Sequence, residues 1–159
     1  MAAQKGHVSV IHAIIARGEN VNTRTNQGHT PLHLAVEAGN AEVVECLLGH
    51  GADVHLGGGA GQESPLHAAC RRGNTRGGEK CARMLLKSGA NPNCPMKDGK
   101  TPLHIVATGS NMGGGGGGAL RVLRLLLENG ADVEMKDDSG ETALHAAIKN
   151  CHFSALRVK

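Results

Sequence analysis

Apolar residues recur along this chain in pairs one helical turn apart. Val10 and Ile11 are followed by Ile14 and Ile15, Val43 and Val44 by Leu47 and Leu48, Ala82 by Leu85 and Leu86, and Val122 and Leu123 by Leu126 and Leu127. Spacing of i, i+1, i+4 and i+5 gathers each set on one side of an α-helix, so it predicts helices with a single buried stripe. Between these stripes stand Thr30-Pro-Leu-His33, Ser64-Pro-Leu-His67, Thr101-Pro-Leu-His104 and Thr142-Ala-Leu-His145. A Thr or Ser hydroxyl caps backbone N–H groups two or three residues on, and Pro at the first helical position loses no needed donor. Each tetrapeptide therefore predicts a helix start. The first two of these helices are short, because Gly39 and Gly73 fall nine residues after the caps, where a residue that accepts positive φ closes a helix.

The two patterns keep step. The tetrapeptides start 34, 37 and 41 residues apart, and a second motif accompanies them: Gly18-Glu-Asn-Val-Asn22, Gly51-Ala-Asp-Val-His55, Gly89-Ala-Asn-Pro-Asn93 and Gly130-Ala-Asp-Val-Glu134. From that Gly to the next Thr or Ser is 12 residues in three cases and 13 in one, whereas the return distance grows from 21 to 25 to 29. Length variation therefore sits between the two helices. The polar 12-residue connection, with turn signals at Asp98-Gly99 and Ser139-Gly140, predicts a hairpin-like finger. The unit is helix, turn, helix, finger, and such units bury their apolar faces only against neighbours.

Gly28-His-Thr-Pro-Leu-His-Leu-Ala-Val-Glu-Ala-Gly39, a Leu-Leu helix and Gly51-Ala-Asp-Val together resemble the ankyrin repeat. The resemblance covers essentially the whole chain and implies an α-class repeat solenoid, a stack of helix-turn-helix units with β-hairpin fingers. On this reading residues 1–159 form one domain, with a partial repeat at 1–28, complete repeats at 29–63, 64–100 and 101–141, and a partial repeat at 142–159. The chain then reads as a segment of a longer array, opening inside a repeat at Gly6-His7 and closing at the beginning of a last second helix, Phe153 to Val158. Thr108-Gly-Ser110, Ala143 in place of Pro and Cys151 in place of Gly depart from the family pattern. Insertions at Gly73 to Lys80 and Gly109 to Ala119 are expected to be loops. The second carries six consecutive glycines, Gly113 to Gly118, which lead into Ala119-Leu-Arg instead of the Lys-Ser/Thr of a phosphate-binding loop.

Composition narrows the function. Of 159 residues only Phe153 is aromatic, which removes the stacking platforms of single-strand nucleic-acid binders and many small-molecule pockets. Five cysteines form no C-x-x-C pair, and no apolar run reaches the roughly 18 to 20 residues of a spanning helix. The expectation is a reducing compartment, cytoplasm and/or nucleus, with no membrane span. Net charge is only +3, but residues 70 to 127 hold ten Lys or Arg against two Asp or Glu. Arg71, Arg72, Arg76, Lys80, Arg83 and Lys87 supply most of that surplus, as solvated helix faces or as a site for an acidic segment of a partner protein.

Ten histidines and five cysteines raise the zinc question. Four of the histidines sit one repeat apart at helix starts, and Cys46, Cys70 and Cys81 lie among small apolar residues, so no metal, cofactor or catalytic residue is expected. The expected function is non-enzymatic protein binding on the concave face that stacked units create. Its candidates are the finger residues Asn26, Gln27, His29, Lys97, Asp98, Lys100, Asp138, Ser139 and Glu141, and the first-helix residues Leu34, Glu37, Arg71, Arg72, Ile105 and Lys149. The competing readings are nucleic-acid or phosphoinositide binding by the basic middle unit, with nucleic acid disfavoured for want of a base-reading motif, and a structural spacer in a larger protein. Resemblance to the family also implies hydroxylation candidates at the finger-start asparagines Asn93 and Asn22.

Overall fold

The computed structural model describes residues 8–109 and 117–157, and side chains as far as Cys151. Among these described residues eight helices follow in chain order: α1 (Val8–Ala16), α2 (Pro31–Glu37), α3 (Ala41–Gly49), α4 (Pro65–Arg71), α5 (Arg76–Lys87), α6 (Pro102–Thr108), α7 (Gly118–Glu128) and α8 (Ala143–Arg157). Thr30, Ser64 and Thr101 stand in extended conformation just before α2, α4 and α6, each with Pro following, as the tetrapeptides predict.

The helices form two layers. First helices α2, α4, α6 and α8 pack on one another in sequence, second helices α1, α3, α5 and α7 do the same, and the pairs α2–α3, α4–α5 and α6–α7 close the gap between layers. Register explains the core. Leu32, Leu66 and Leu103 occupy the same turn of α2, α4 and α6, and face Val43, Val44, Leu47, Leu85, Val122 and Leu126 of the stripes, all buried in one cluster. Burying each such aliphatic chain contributes about 1.5–3 kcal/mol. At the C-terminal end α8 leaves Leu144 and Ile148 exposed.

Gly51, Gly89 and Gly130 end the second helices at φ +84°, +90° and +88°. There the N–H of Ala52, Ala90 and Ala131 reaches back five residues to Leu47, Leu85 and Leu126, which satisfies carbonyls that the helix leaves open.

Four expectations are corrected. The fingers are turns: in Thr25–His29, Met96–Lys100 and Asp137–Glu141 the first residue's N–H donates to the last residue's carbonyl while its own carbonyl accepts from Gly28, Gly99 or Gly140, and among the described residues only Gly58 and Glu63 form an antiparallel bridge. Fingers of this length complete only these two bonds before the chain turns away, too little for a strand pair. The Gly73–Lys80 insertion is mostly helix, since Thr75 caps the N–H of Gly78 at 3.0 Å and α5 starts at Arg76. Gly73 does not adopt positive φ, unlike Gly39 at +67°. Its lack of a side chain serves packing, because a Cβ there would lie 3.1 Å from Val122. Finally, the backbone runs as one helix from Ala143 to Arg157, with no break at Cys151 to begin a separate second helix. A residue with a Cβ resists the left-handed turn that Gly39 makes at the matching place. Of the glycine run, Gly113 to Gly116 lie outside the described residues, as do Gly6 and His7.

Glycines inside helices ordinarily cost about 0.5–1 kcal/mol relative to alanine. Gly78 reverses that rule: an added Cβ would stand 2.1 Å from the Arg72 carbonyl oxygen, whereas at Gly49, the last residue of α3, it would meet nothing within 4 Å. Gly49→Ala should therefore stabilise by about 0.5–1 kcal/mol, and Gly78→Ala should destabilise by about 1–3 kcal/mol through overpacking. Urea unfolding of the two variants checks the opposite signs.

Candidate functional site

The finger-bearing face is positioned by the tetrapeptide histidines. In α2 the Thr30 hydroxyl lies 2.9 Å from His33 Nδ1, and the Thr30 N–H donates to the same nitrogen at 3.2 Å. Ser64 with His67, Thr101 with His104 and Thr142 with His145 repeat this arrangement. It is a capping box in which histidine takes the place of the usual Glu or Gln. The other ring nitrogen does what sequence spacing did not reveal. Nε2 of His33, His67 and His104 donates to the carbonyls of Glu63, Lys100 and Glu141 at 2.9, 3.1 and 2.9 Å, each one residue before the next unit's cap. Because a carbonyl only accepts, Nε2 carries the proton and Nδ1 is the acceptor. Each ring thus fastens its own helix start and the next finger. Burial pushes the His67 pKa down to about 4, and that of His33 down also.

Backbone bonds continue the ladder between finger tips: Gly59 to Gln27, Lys97 to Gly61, and Asp138 to Asp98, at 2.9–3.1 Å. The side chains of Asn26, Gln27, Lys97, Asp98, Asp138 and Ser139 remain exposed on those tips. Three further candidates, His29, Lys100 and Glu141, hold the position before the cap and are half-buried. His29 lies 5.7 Å, ring to ring, from His33. Lys100 bonds Asp98 at 2.7 Å, which lowers the Asp98 pKa and raises that of Lys100.

Leu34 and Ile105 stand four residues after their caps, half-exposed at the same register of α2 and α6. Glu37, Arg71 and Lys149 stand seven residues after theirs, and here the structure changes the picture. Arg71 pairs with both Glu37 and Glu63, and Lys149 pairs with Glu141. Arg71 is therefore already neutralised by two carboxylates of this chain. Glu63, which sequence reasoning passed over, shares a register with Glu141, and each pairs with the residue seven after its following cap.

Arg72 is not on this face. It is half-buried against the turn at Gly39, whose added Cβ would lie 3.7 Å from the Arg72 Nε, and that Nε is buried without a hydrogen-bond partner. The basic surplus lies elsewhere too: Arg76, Lys80, Arg83 and Lys87 are exposed on α5 and Arg121 and Arg124 on α7, in the second layer. Glu79 engages Arg83 at 3.4 Å and Arg121 at 3.3 Å. Asn22 and Asn93 are half-buried and join consecutive units, their Oδ1 atoms accepting from the N–H of Asp53 and Asp132 at 2.8 and 2.7 Å.

Among the described residues two groups have the side chains of chemistry. Cys94 Sγ lies 3.3 Å from Ser64 Oγ and 3.8 Å from His67 Nδ1, but burial raises its pKa and His67 Nδ1 is committed to the cap, the opposite of an activated thiolate. His12, Cys46 and His50 also converge, their ligand atoms all within 4.8 Å of one another. Spacing alone had hidden this trio, because His12 comes from the preceding unit.

The matched family is described as ankyrin repeats in three copies, and its matches run over residues 1–96, 54–134 and 75–158. The chain belongs to the ankyrin-repeat family. Ankyrin repeats are protein–protein interaction modules, typically non-enzymatic. The chain is 38% identical over 106 residues to ankyrin repeat and SOCS box protein 11 of Danio rerio, a match covering 67% of this chain and 34% of that protein. It is 31% identical over 149 residues to human ankyrin repeat and SOCS box protein 16, covering 94% and 32%. It is 31% identical over 160 residues to the probable E3 ubiquitin-protein ligase XBOS33 of Oryza sativa subsp. japonica, covering 99% and 29%. This ankyrin segment spans about a third of the length of these relatives. No helix among the described residues is long and apolar enough to cross a membrane.

The clasp has a pH signature. With the His67 pKa at about 4 when folded and about 6.5 when unfolded, the unfolded chain takes the proton first as pH falls. Stability should be unaffected by this group above pH 6.5 and decline on acidification towards pH 4, by on the order of 3 kcal/mol. His33 adds in the same direction. Urea unfolding from pH 7.5 to 4.5 should show this decline, and His67→Gln should flatten it.

Proposed function

We propose that this ankyrin segment is a non-enzymatic capture module whose fingers and first helices bind a partner protein. The carrying observation is the register of that face: aliphatic Leu34 and Ile105 stand half-exposed among paired charges and exposed finger tips. Aliphatic centres with a polar rim are the composition of a protein interface. With Arg71 held between Glu37 and Glu63, the partner chemistry that fits is an apolar segment flanked by mixed charge. An acidic segment would have to displace two carboxylates.

The names of the relatives include two SOCS box proteins and a probable ubiquitin ligase, so recruitment of a partner within a larger protein is the role proposed for the chain. Cys46, Cys70, Cys81 and Cys94 are free thiols within the fold, and burial raises the pKa of each, which supports a reducing compartment, cytoplasm and/or nucleus.

Proximity labelling with identification of the partner, followed by affinity measurement, tests the face. Leu34→Asp with Ile105→Asp should weaken binding at least about tenfold, equivalent to about 1.4 kcal/mol. Lys80→Glu with Arg124→Glu on the second layer should leave affinity within about twofold, the small effect of rim charges. Binding that survives the first pair of changes and fails with the second would move the site to the basic layer and favour phosphate recognition.

A further inference from the structure

Two exposed imidazoles take no part in the clasp that employs His33, His67 and His104. His12 lies on α1, and His50 caps α3 one turn after Cys46. His50 Nε2 and His12 Nδ1 approach to 2.8 Å with the rings nearly perpendicular, and Cys46 completes a group whose ligand atoms are all within 4.8 Å.

We propose that His12, Cys46 and His50 form a binding site for a divalent cation of the zinc class, joining α1 to α3. Two imidazoles and one thiol are the donor set that borderline-soft cations select over hard ones. Tetrahedral zinc, with Zn–N of about 2.0–2.1 Å and Zn–S of about 2.3 Å, needs ligand atoms about 3.3–3.7 Å apart. The imidazoles separate by about half an ångström and the thiol closes by about one, movements within side-chain rotation.

Surroundings favour the ion. The three residues line an open groove of about 540 Å³ that also has Glu42 and Glu45 on its walls, so carboxylate charge draws a cation in and water fills the fourth position. Binding releases one proton to solvent, from the Cys46 thiol. The imidazole that donates in the His12–His50 bond moves its proton to its other ring nitrogen and keeps it. The site spans the joint between first and second units, where α1 contributes Ile11 to the core while Val10 and Ile14 stay exposed.

The test is titration of the reduced, metal-free chain with Co2+ and then Zn2+. One equivalent of Co2+ should give a thiolate-to-cobalt charge-transfer band with intense tetrahedral d–d bands, and Zn2+ should displace it and raise the thermal midpoint. Cys46→Ser should abolish the charge-transfer band. His12→Gln and His50→Gln, at exposed positions that leave folding intact, should weaken binding at least tenfold, and Cys151→Ser should bind as the unmodified chain does. Absence of the band at micromolar metal, or a band that survives Cys46→Ser, would overturn the proposal.

Discussion

One buried hydrogen bond repeats through this stack and sets the position of nearly everything else. Histidine Nε2 of one unit donates to the carbonyl just before the next unit's helix cap, at His33, His67 and His104 in turn. A buried carbonyl and a buried ring nitrogen would each cost free energy if left unmatched. The finger of each unit is therefore held at a defined distance from the preceding first helix. His145 makes the same bond to its own cap but is exposed, in the last unit described.

With the fingers fixed, charges along the face fall into register, and register decides which of them are available. Residues before the cap meet residues seven after it, so Glu63 meets Arg71 and Glu141 meets Lys149, while Glu37, seven after the preceding unit's cap, reaches Arg71 from that neighbouring unit. Such exposed pairs contribute little to stability, typically about 0–1 kcal/mol. They do leave Arg71 paired with carboxylates and Leu34 and Ile105 as the half-exposed aliphatic side chains of the face. The basic residues that dominate the sequence arithmetic stand on α5 and α7, behind this face.

Variation between the helices illustrates how a repeat tolerates length. The longer connection before α5 added a helical turn around Gly77 and Gly78, which lie against the Gly39 and Arg72 carbonyls at distances no side chain allows. Close approach of backbones, more than chain flexibility, is what these glycines supply. Gly118 at the start of α7 follows the same logic, its position blocked for a Cβ by the Gly73 oxygen at 2.6 Å.

Helix starts, buried stripes, the glycine stops other than Gly73 and the family itself were legible in the residues, because capping, 3.6-residue periodicity and left-handed closure are local consequences of residue type. The alignment of finger tips beside first helices was legible as well, since identical frames stack with their variable positions aligned. Contacts across units were not. The partner of each histidine Nε2, the double pairing of Arg71, the inward turn of Arg72 and the meeting of His12 with Cys46 and His50 all join atoms about 30 or more residues apart in sequence, apart from Arg71 with Glu63 and Cys46 with His50. Single side chains carry no record of which neighbour lies one repeat away, because that distance is set by how the layers pack, and only the packed stack decides it.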